Sequence, residues 1–183
     1  MRIRRHCYPL HPILGAAALA LLSLSSVPHA QEASPVTVPG PGGIAIYIDQ
    51  AHKDGNDQYG YAGAVRAGDF VFVSGVVVGA WNGEILDDEG LRAAVRSAFE
   101  FAGRTLEAAG ASYEHVVEIV SFHIWDTALY SGDKASQLAA IVDVRREFMH
   151  GPDPAWTAVG TTELVPDRGI MEIRFTAHTP ERD

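Results

Sequence analysis

Apolar positions recur along this chain in two rhythms, and the rhythms divide it into strands and helices. Ile44 to Ile48 is a short β-prone run, and Asp49 to Asn56, polar and interrupted by a glycine, reads as a loop. Tyr61 to Arg66 and Phe70 to Ser74 flank Ala67, Gly68 and Asp69. Two β-prone runs around a tight glycine turn predict a hairpin. Its second arm is apolar at nearly every position, which predicts cover on both faces. Val76 to Gly79 continues extended, and Trp81-Asn82-Gly83 turns the chain. Gly75 marks either a bulge or a place where backbone approaches a ligand closely.

The period then changes. Leu91, Ala94, Val95, Ala98, Phe101, Ala102 and Leu106 predict a helix from about Asp88 to Ala109, capped by Asp87 or Asp88 and closed at Gly110. Val116 to Trp125 returns to alternation, with Val120, Phe122 and Ile124 on one face and Ser121, His123 and Trp125 on the other. A second helix, about Asp133 to Met149, carries Leu138, Ile141, Val142, Arg145 and Phe148 along one side and stops at Gly151-Pro152. Strands at about Trp156 to Leu164 and Ile170 to His178 end the pattern, with a ligand site expected between them. Glu172 and Arg174, two residues apart, share a face of the last strand. The order β, hairpin, α, β, α, β, β predicts an α+β fold: a single mixed sheet with two helices packed on one face. The sheet's other face is then apolar and uncovered, which predicts self-association.

The N-terminus belongs to a different class of segment. Arg2, Arg4 and Arg5 precede an apolar run from Ile13 to Val27, and Ala30 offers a small residue for cleavage. This is the pattern of a secretory signal peptide over residues 1–30, and it is too short to be read as a membrane span. Gln31 to Gly43, rich in Pro and Gly, reads as a flexible leader, and residues 44–179 as the folded domain. Cleavage after Ala30 leaves 11 basic against 23 acidic residues, a net charge of −12. Such a surface repels nucleic acid and anionic lipid, so neither is expected as a partner. Localisation is expected to be periplasmic or secreted. Cys7, the one cysteine, lies within the signal, so the mature chain has neither a disulfide nor a thiol nucleophile.

Common catalytic patterns are missing. No G-x-G-x-x-G opens a helix, no phosphate-loop lysine follows a strand, and no H-E-x-x-H or paired-cysteine spacing is present. No metal or cofactor is implied. His123 and Asp126 lie three apart in a strand, on opposite faces, and make a poor ligand pair. His123 is expected to be buried or interfacial.

Three stretches in this order resemble the RidA/YjgF (Rid) proteins. They are the hairpin from Tyr61 to Gly75, then Leu106 to Ser112 with Val116 and Val117, and finally Phe148, Pro154-Ala155, Val159 and Met171 to Ile173. The resemblance covers about Ile46 to Ala177. It implies a chorismate-mutase-like fold, assembly as a homotrimer, and small-molecule clefts between subunits. The activity it implies is hydrolysis of reactive enamines and imines such as 2-aminoacrylate. By position, Tyr61, Ser74 and Gly75 match the family's cleft residues and Glu172 its acidic residue. Deaminating members carry a carboxylate-binding arginine directly after Pro-Ala; here that position is Trp156. Gly63 stands where the hairpin often has glutamine. Trp156 is thus either an aromatic cleft wall or interface packing. Arg174 either replaces the arginine or pairs with Glu172. Two readings follow: an exported imine or enamine hydrolase with a non-standard substrate, or a non-catalytic ligand-binding protein on the same trimer.

Overall fold

The computed structural model describes residues 34–180, which belong to one compact unit. The proposed signal peptide lies outside them. Seven strands form a single mixed sheet: β1 (Val36–Gly40), β2 (Gly43–Tyr47), β3 (Ala64–Ala67), β4 (Phe70–Gly79), β5 (Val116–His123), β6 (Ala155–Gly160) and β7 (Gly169–His178). Their order across the sheet is β1-β2-β3-β4-β7-β5-β6. Only β5 and β6 run parallel. The helix between them, α3 (Lys134–Phe148), makes the crossover that a parallel pair requires.

One face of the sheet is covered by α3 and by α2 (Asp88–Ala108). The N-cap of α2 is Asp87, whose carboxylate accepts from the Gly90 amide at 2.8 Å. Past its C-cap, Gly110 adopts the left-handed conformation (φ 73°) that a C′ residue needs. Leu91, Val95, Phe99 and Leu106 are buried against Val71, Val73, Ile119, Ile173 and Phe175. Arg92–Asp143 and Arg96–Glu147 ion pairs tie the exposed sides of the two helices together.

The structure departs from the expected elements at three places. First, Asp49 to Asn56 is not a loop: Gln50–Asp57 forms a third helix, α1. It has no apolar stripe, and its support is polar: the Asp49 carboxylate accepts from the His52 amide at 2.7 Å, and Lys53 pairs with Asp57 one turn on. Second, Val36–Gly40, within the stretch read as a leader, pairs antiparallel with β2 as the sheet's edge. Third, α3 turns a different side inward. Gln137, Ala140, Ile141, Val144 and Arg145 are buried, while Leu138 and Val142 are half-exposed. Gln137 goes inside because it has partners there: His123 Nδ1 at 3.2 Å and the Ile124 carbonyl at 3.0 Å.

The second face of the sheet has no helix. Phe70 and Phe72 are 43% and 44% exposed on it, with Val120 and Phe122 half-buried beside them. The apolar second arm of the hairpin is therefore covered on one side only within the chain.

Candidate functional site

The site begins with a fault in the sheet. β4 and β7 pair regularly from Phe70 to Val73, slip at Ser74–Gly75, and resume with Val76 opposite Ile173 and Val77 opposite Glu172. A bulge of this kind bends the strand and re-aims its side chains. Into the space left by the slip comes the side chain of Glu172. A Cβ on Gly75 would overlap Oε1 outright and lie 2.5 Å from Cδ and 2.7 Å from Cγ of Glu172. The bulge and close-approach readings of Gly75 are thus one feature: the glycine sits at the bulge and is bare where the carboxyl lies.

Ser74 is fixed at the same turn. Its amide donates to the Gly63 carbonyl at 3.0 Å and its hydroxyl to the Ala62 carbonyl at 2.6 Å, so its proton is committed to the backbone. Tyr61 is delivered by the end of α1: the carbonyl of Asn56 accepts from the amides of Tyr59 and Gly60 at 3.0 Å and of Tyr61 at 3.5 Å. Tyr61, Ser74, Gly75 and Glu172 line one cavity of about 630 Å³, with Tyr59 and the Val165–Pro166 loop at its mouth. A smaller cavity of about 240 Å³ adjoins it, where Tyr61, Ser74 and Gly75 meet His52, Asn56 and Phe101.

Glu172 enters no ion pair among the described residues. Burial pushes its carboxyl above the ordinary value, because no nearby cation offsets the loss of solvent. The Tyr61 phenol is also raised, first by burial and then by the field of Glu172. His52 is lowered by burial, against the pull of Asp49. Its Nδ1 accepts from the Ile48 amide at 3.2 Å, which places the ring proton on Nε2, and the Asn56 side-chain amide 3.0 Å away then turns its oxygen, not its NH2, towards it. Gly63 makes this arrangement possible, since a Cβ there would lie 2.5 Å from His52 Cε1. Neither His52 nor Asn56 was singled out from sequence, and the bare Gly63 was the one signal near them.

The two remaining sequence candidates lie elsewhere. The last two strands are not neighbours, because β5 runs between β7 and β6. Arg174 shares the open face with Glu172 but pairs with Glu118 of β5 at 3.8 Å, which also accepts from the Thr176 hydroxyl at 3.1 Å. Trp156 stands beside Ile119 in the parallel pair, packs against the core on the helix-covered side, and donates its indole N–H to Ser121 Oγ at 2.9 Å. Ser121 in turn lies 2.9 Å from Nε2 of His123, which is fully buried and stacked on Trp125 at 4.0 Å. The chain runs in one direction. Gln137 presents its oxygen to Nδ1–H of His123, so Nε2 accepts from Ser121, which accepts from Trp156. Burial holds His123 at about 4, neutral at ordinary pH. Among the described residues no group of three His, Cys, Asp or Glu is placed to hold a metal ion.

Comparison with known proteins agrees with this architecture. The family model described as Endoribonuclease L-PSP matches residues 56–179. The RutC family protein YjgH of Escherichia coli K12 is 35% identical over 127 residues, 68% of this chain and 87% of that protein. A solved structure of YjgH superposes with a TM-score of 0.53 at 33% identity, covering 69% of this chain and 89% of its own. RidA from the Antarctic bacterium Psychrobacter sp. PAMC 21119 gives 0.51 at 28% identity, over 65% and 88% of the two chains. A member of the YjgF/YER057c/UK114 family from Mycobacterium tuberculosis gives 0.55 at 20% identity, over 80% and 100%, a likeness of fold alone.

Proposed function

The chain belongs to the Endoribonuclease L-PSP family, the RidA/YjgF proteins, and from that premise we propose that the Tyr61–Ser74–Gly75–Glu172 cleft hydrolyses the C–N bond of a small imine or enamine. Water adds to the imine carbon, the C–N bond of the resulting carbinolamine breaks, and a carbonyl compound and ammonia leave. Glu172 takes the proton from water and returns it to the departing nitrogen. The observation that carries this role is its carboxyl, half-buried over Gly75 and free of any cation among the described residues. A carboxyl whose pKa is raised in this way is better matched to proton transfer near neutrality than an ion-paired one.

The name of the family points towards RNA, and the charge of this chain points away from it. A net charge of −9 and a cleft whose one ionised side chain is a carboxylate repel a phosphate backbone. In this reading the protein is an exported homotrimer. The open sheet face that bears Phe70 and Phe72 is covered by neighbouring copies, and the cleft is completed from the next subunit. Trp156, directly after Pro154-Ala155, stands where deaminating relatives carry their carboxylate-binding arginine, which makes the substrate a non-standard one. Freshly generated imines, with 2-aminoacrylate among them, are mixed with the protein and ammonia release is followed. The expected result is a rate above buffer that Glu172→Gln removes. A rate equal to buffer for every imine leaves the second reading, a ligand-binding protein without catalysis.

A further inference from the structure

Resting on the Tyr61–Ser74–Gly75–Glu172 cleft as the reacting site, we infer that His52 is a positioning residue for it: through Asn56, His52 holds Tyr61 in the cavity that Glu172 lines. Tyr61 is carried on a short span between two anchors. After it, the carbonyls of Ala62 and Gly63 accept from the hydroxyl and the amide of Ser74, which pins the chain to β4. Before it, the carbonyl of Asn56 accepts from the amides of Tyr59, Gly60 and Tyr61. Gly60 takes the left-handed backbone (φ 72°) that lets this turn close. Tyr61 is therefore held only as firmly as Asn56 is.

Asn56 is in turn held by His52. The two are one turn apart on α1 and share a face, and Asn56 is buried. An eight-residue helix with no apolar stripe has little stability of its own and takes its place from such contacts. The imidazole is fixed by its surroundings: Nδ1 accepts from the Ile48 amide, the ring meets Phe101 of α2 edge-on at 5.2 Å, and bare Gly63 leaves room for Cε1. Its Nε2–H then faces the Asn56 side-chain oxygen, 3.0 Å away. Each of these links lies within one chain. All but the last two residues of α1 precede the segment that the family model matches, so the support comes from outside that segment. At the other end of the span, burial and the field of Glu172 keep the Tyr61 phenol protonated, a donor for a bound substrate.

Two substitutions separate the two ring nitrogens. In His52→Gln the amide nitrogen reaches the place of Nε2 and keeps the link to Asn56. In His52→Asn the amide oxygen takes the place of Nδ1, which keeps the Ile48 bond and loses that link. Asn56→Ala breaks the same link from the other end. With 3-fluorotyrosine incorporated, the Tyr61 signal in fluorine-19 NMR, assigned by its loss in Tyr61→Phe, is titrated in the intact protein. The expected result is a phenol that titrates above free 3-fluorotyrosine in the parent and in His52→Gln, and that falls back to it in His52→Asn and Asn56→Ala. An unmoved titration in those two, or an equal fall in His52→Gln, overturns the inference. So does failure of both His52→Asn and Asn56→Ala to fold by circular dichroism, since the pair then serves the fold and not the site. Ammonia release from an imine separates this from the reaction itself: hydrolysis should fall on the order of tenfold to a hundredfold in His52→Asn and far less in His52→Gln. A displaced Tyr61 in a protein that hydrolyses no imine keeps the positioning and removes the reaction. Full hydrolysis by His52→Asn keeps the reaction and removes the positioning.

Discussion

Gly75→Ala tests whether the bulge in β4 exists to house Glu172. The new Cβ would sit on Oε1 and within 2.7 Å of Cγ, so moving the carboxyl tip is not enough and the whole side chain must leave. Forcing a methyl into an occupied site costs about 1–3 kcal/mol. The half-exposed position of Glu172 gives it an escape towards solvent, which favours the lower half of that range. The same substitution on a Glu172→Ala background is relieved of all three of these closest contacts, Oε1, Cδ and Cγ. Gly75 is not among the glycines with a left-handed backbone, so alanine there is unstrained. Its effect should be within about 0.5 kcal/mol, or stabilising by about 0.4–1 kcal/mol through the unfolded state. The expected coupling in the double-mutant cycle is therefore about 1 kcal/mol or more. Urea unfolding of the four proteins at one protomer concentration measures it, so that the association proposed above weighs equally on all four. Carbon-13 titration of the carboxyl gives an independent reading: in Gly75→Ala the pKa of Glu172 should fall back towards 4.5 as the group regains water. An equal cost in both backgrounds, with the titration unmoved, would refute the idea that the glycine is bare for the sake of the carboxyl.

Other substitutions probe the rest of the molecule. Trp156→Phe removes the indole donor to Ser121 and should cost about 1 kcal/mol in urea unfolding; a larger loss not shared by Ser121→Ala would mean that packing, not this bond, holds the ring. His123 is buried neutral at about 4, below its unfolded value of 6.5, so the unfolded chain protonates first as pH falls. The stability it contributes is intact above about pH 6.5 and is lost towards pH 4, on the order of 3 kcal/mol. His123→Gln should flatten that part of a pH series of urea midpoints, and an unchanged slope assigns the acid sensitivity to other groups. In the trimer proposed above, Phe72→Glu places charge on the open sheet face and should shift sedimentation at micromolar concentration to monomer; an unchanged mass locates the interface elsewhere.

What could be read from the chain alone depends on how local each cause is. The helix α2 was legible because its apolar period, its Asp87 cap and its Gly110 stop all act within the segment. The hairpin of β3 and β4 was legible for the same reason. The helix α1 was not, because its stability comes from a cap and polar pairs with no apolar face to announce them. β1 is stable only through pairing with β2, which composition does not reveal. In α3 the inward side was misread because a buried glutamine looks like a surface residue until its partner His123 is known.

The site divides along the same line, and that bears on its chemistry. Glu172 lies about a hundred residues beyond Ser74 and Gly75 and meets them only because β4 and β7 are neighbours; their assignment to one cleft came from resemblance, and their contact is a matter of sheet order. Arg174 illustrates the opposite case. Two-residue spacing correctly put it on the face of Glu172, yet β5 beside β7 presents Glu118 to it, and the pair forms there. That one non-local contact changes the meaning of Glu172, from half of a structural ion pair to an unpaired carboxyl with a raised pKa. The strand order is thus what leaves the Glu172 carboxyl without an ion pair among the described residues, by setting Glu118 of β5 beside Arg174.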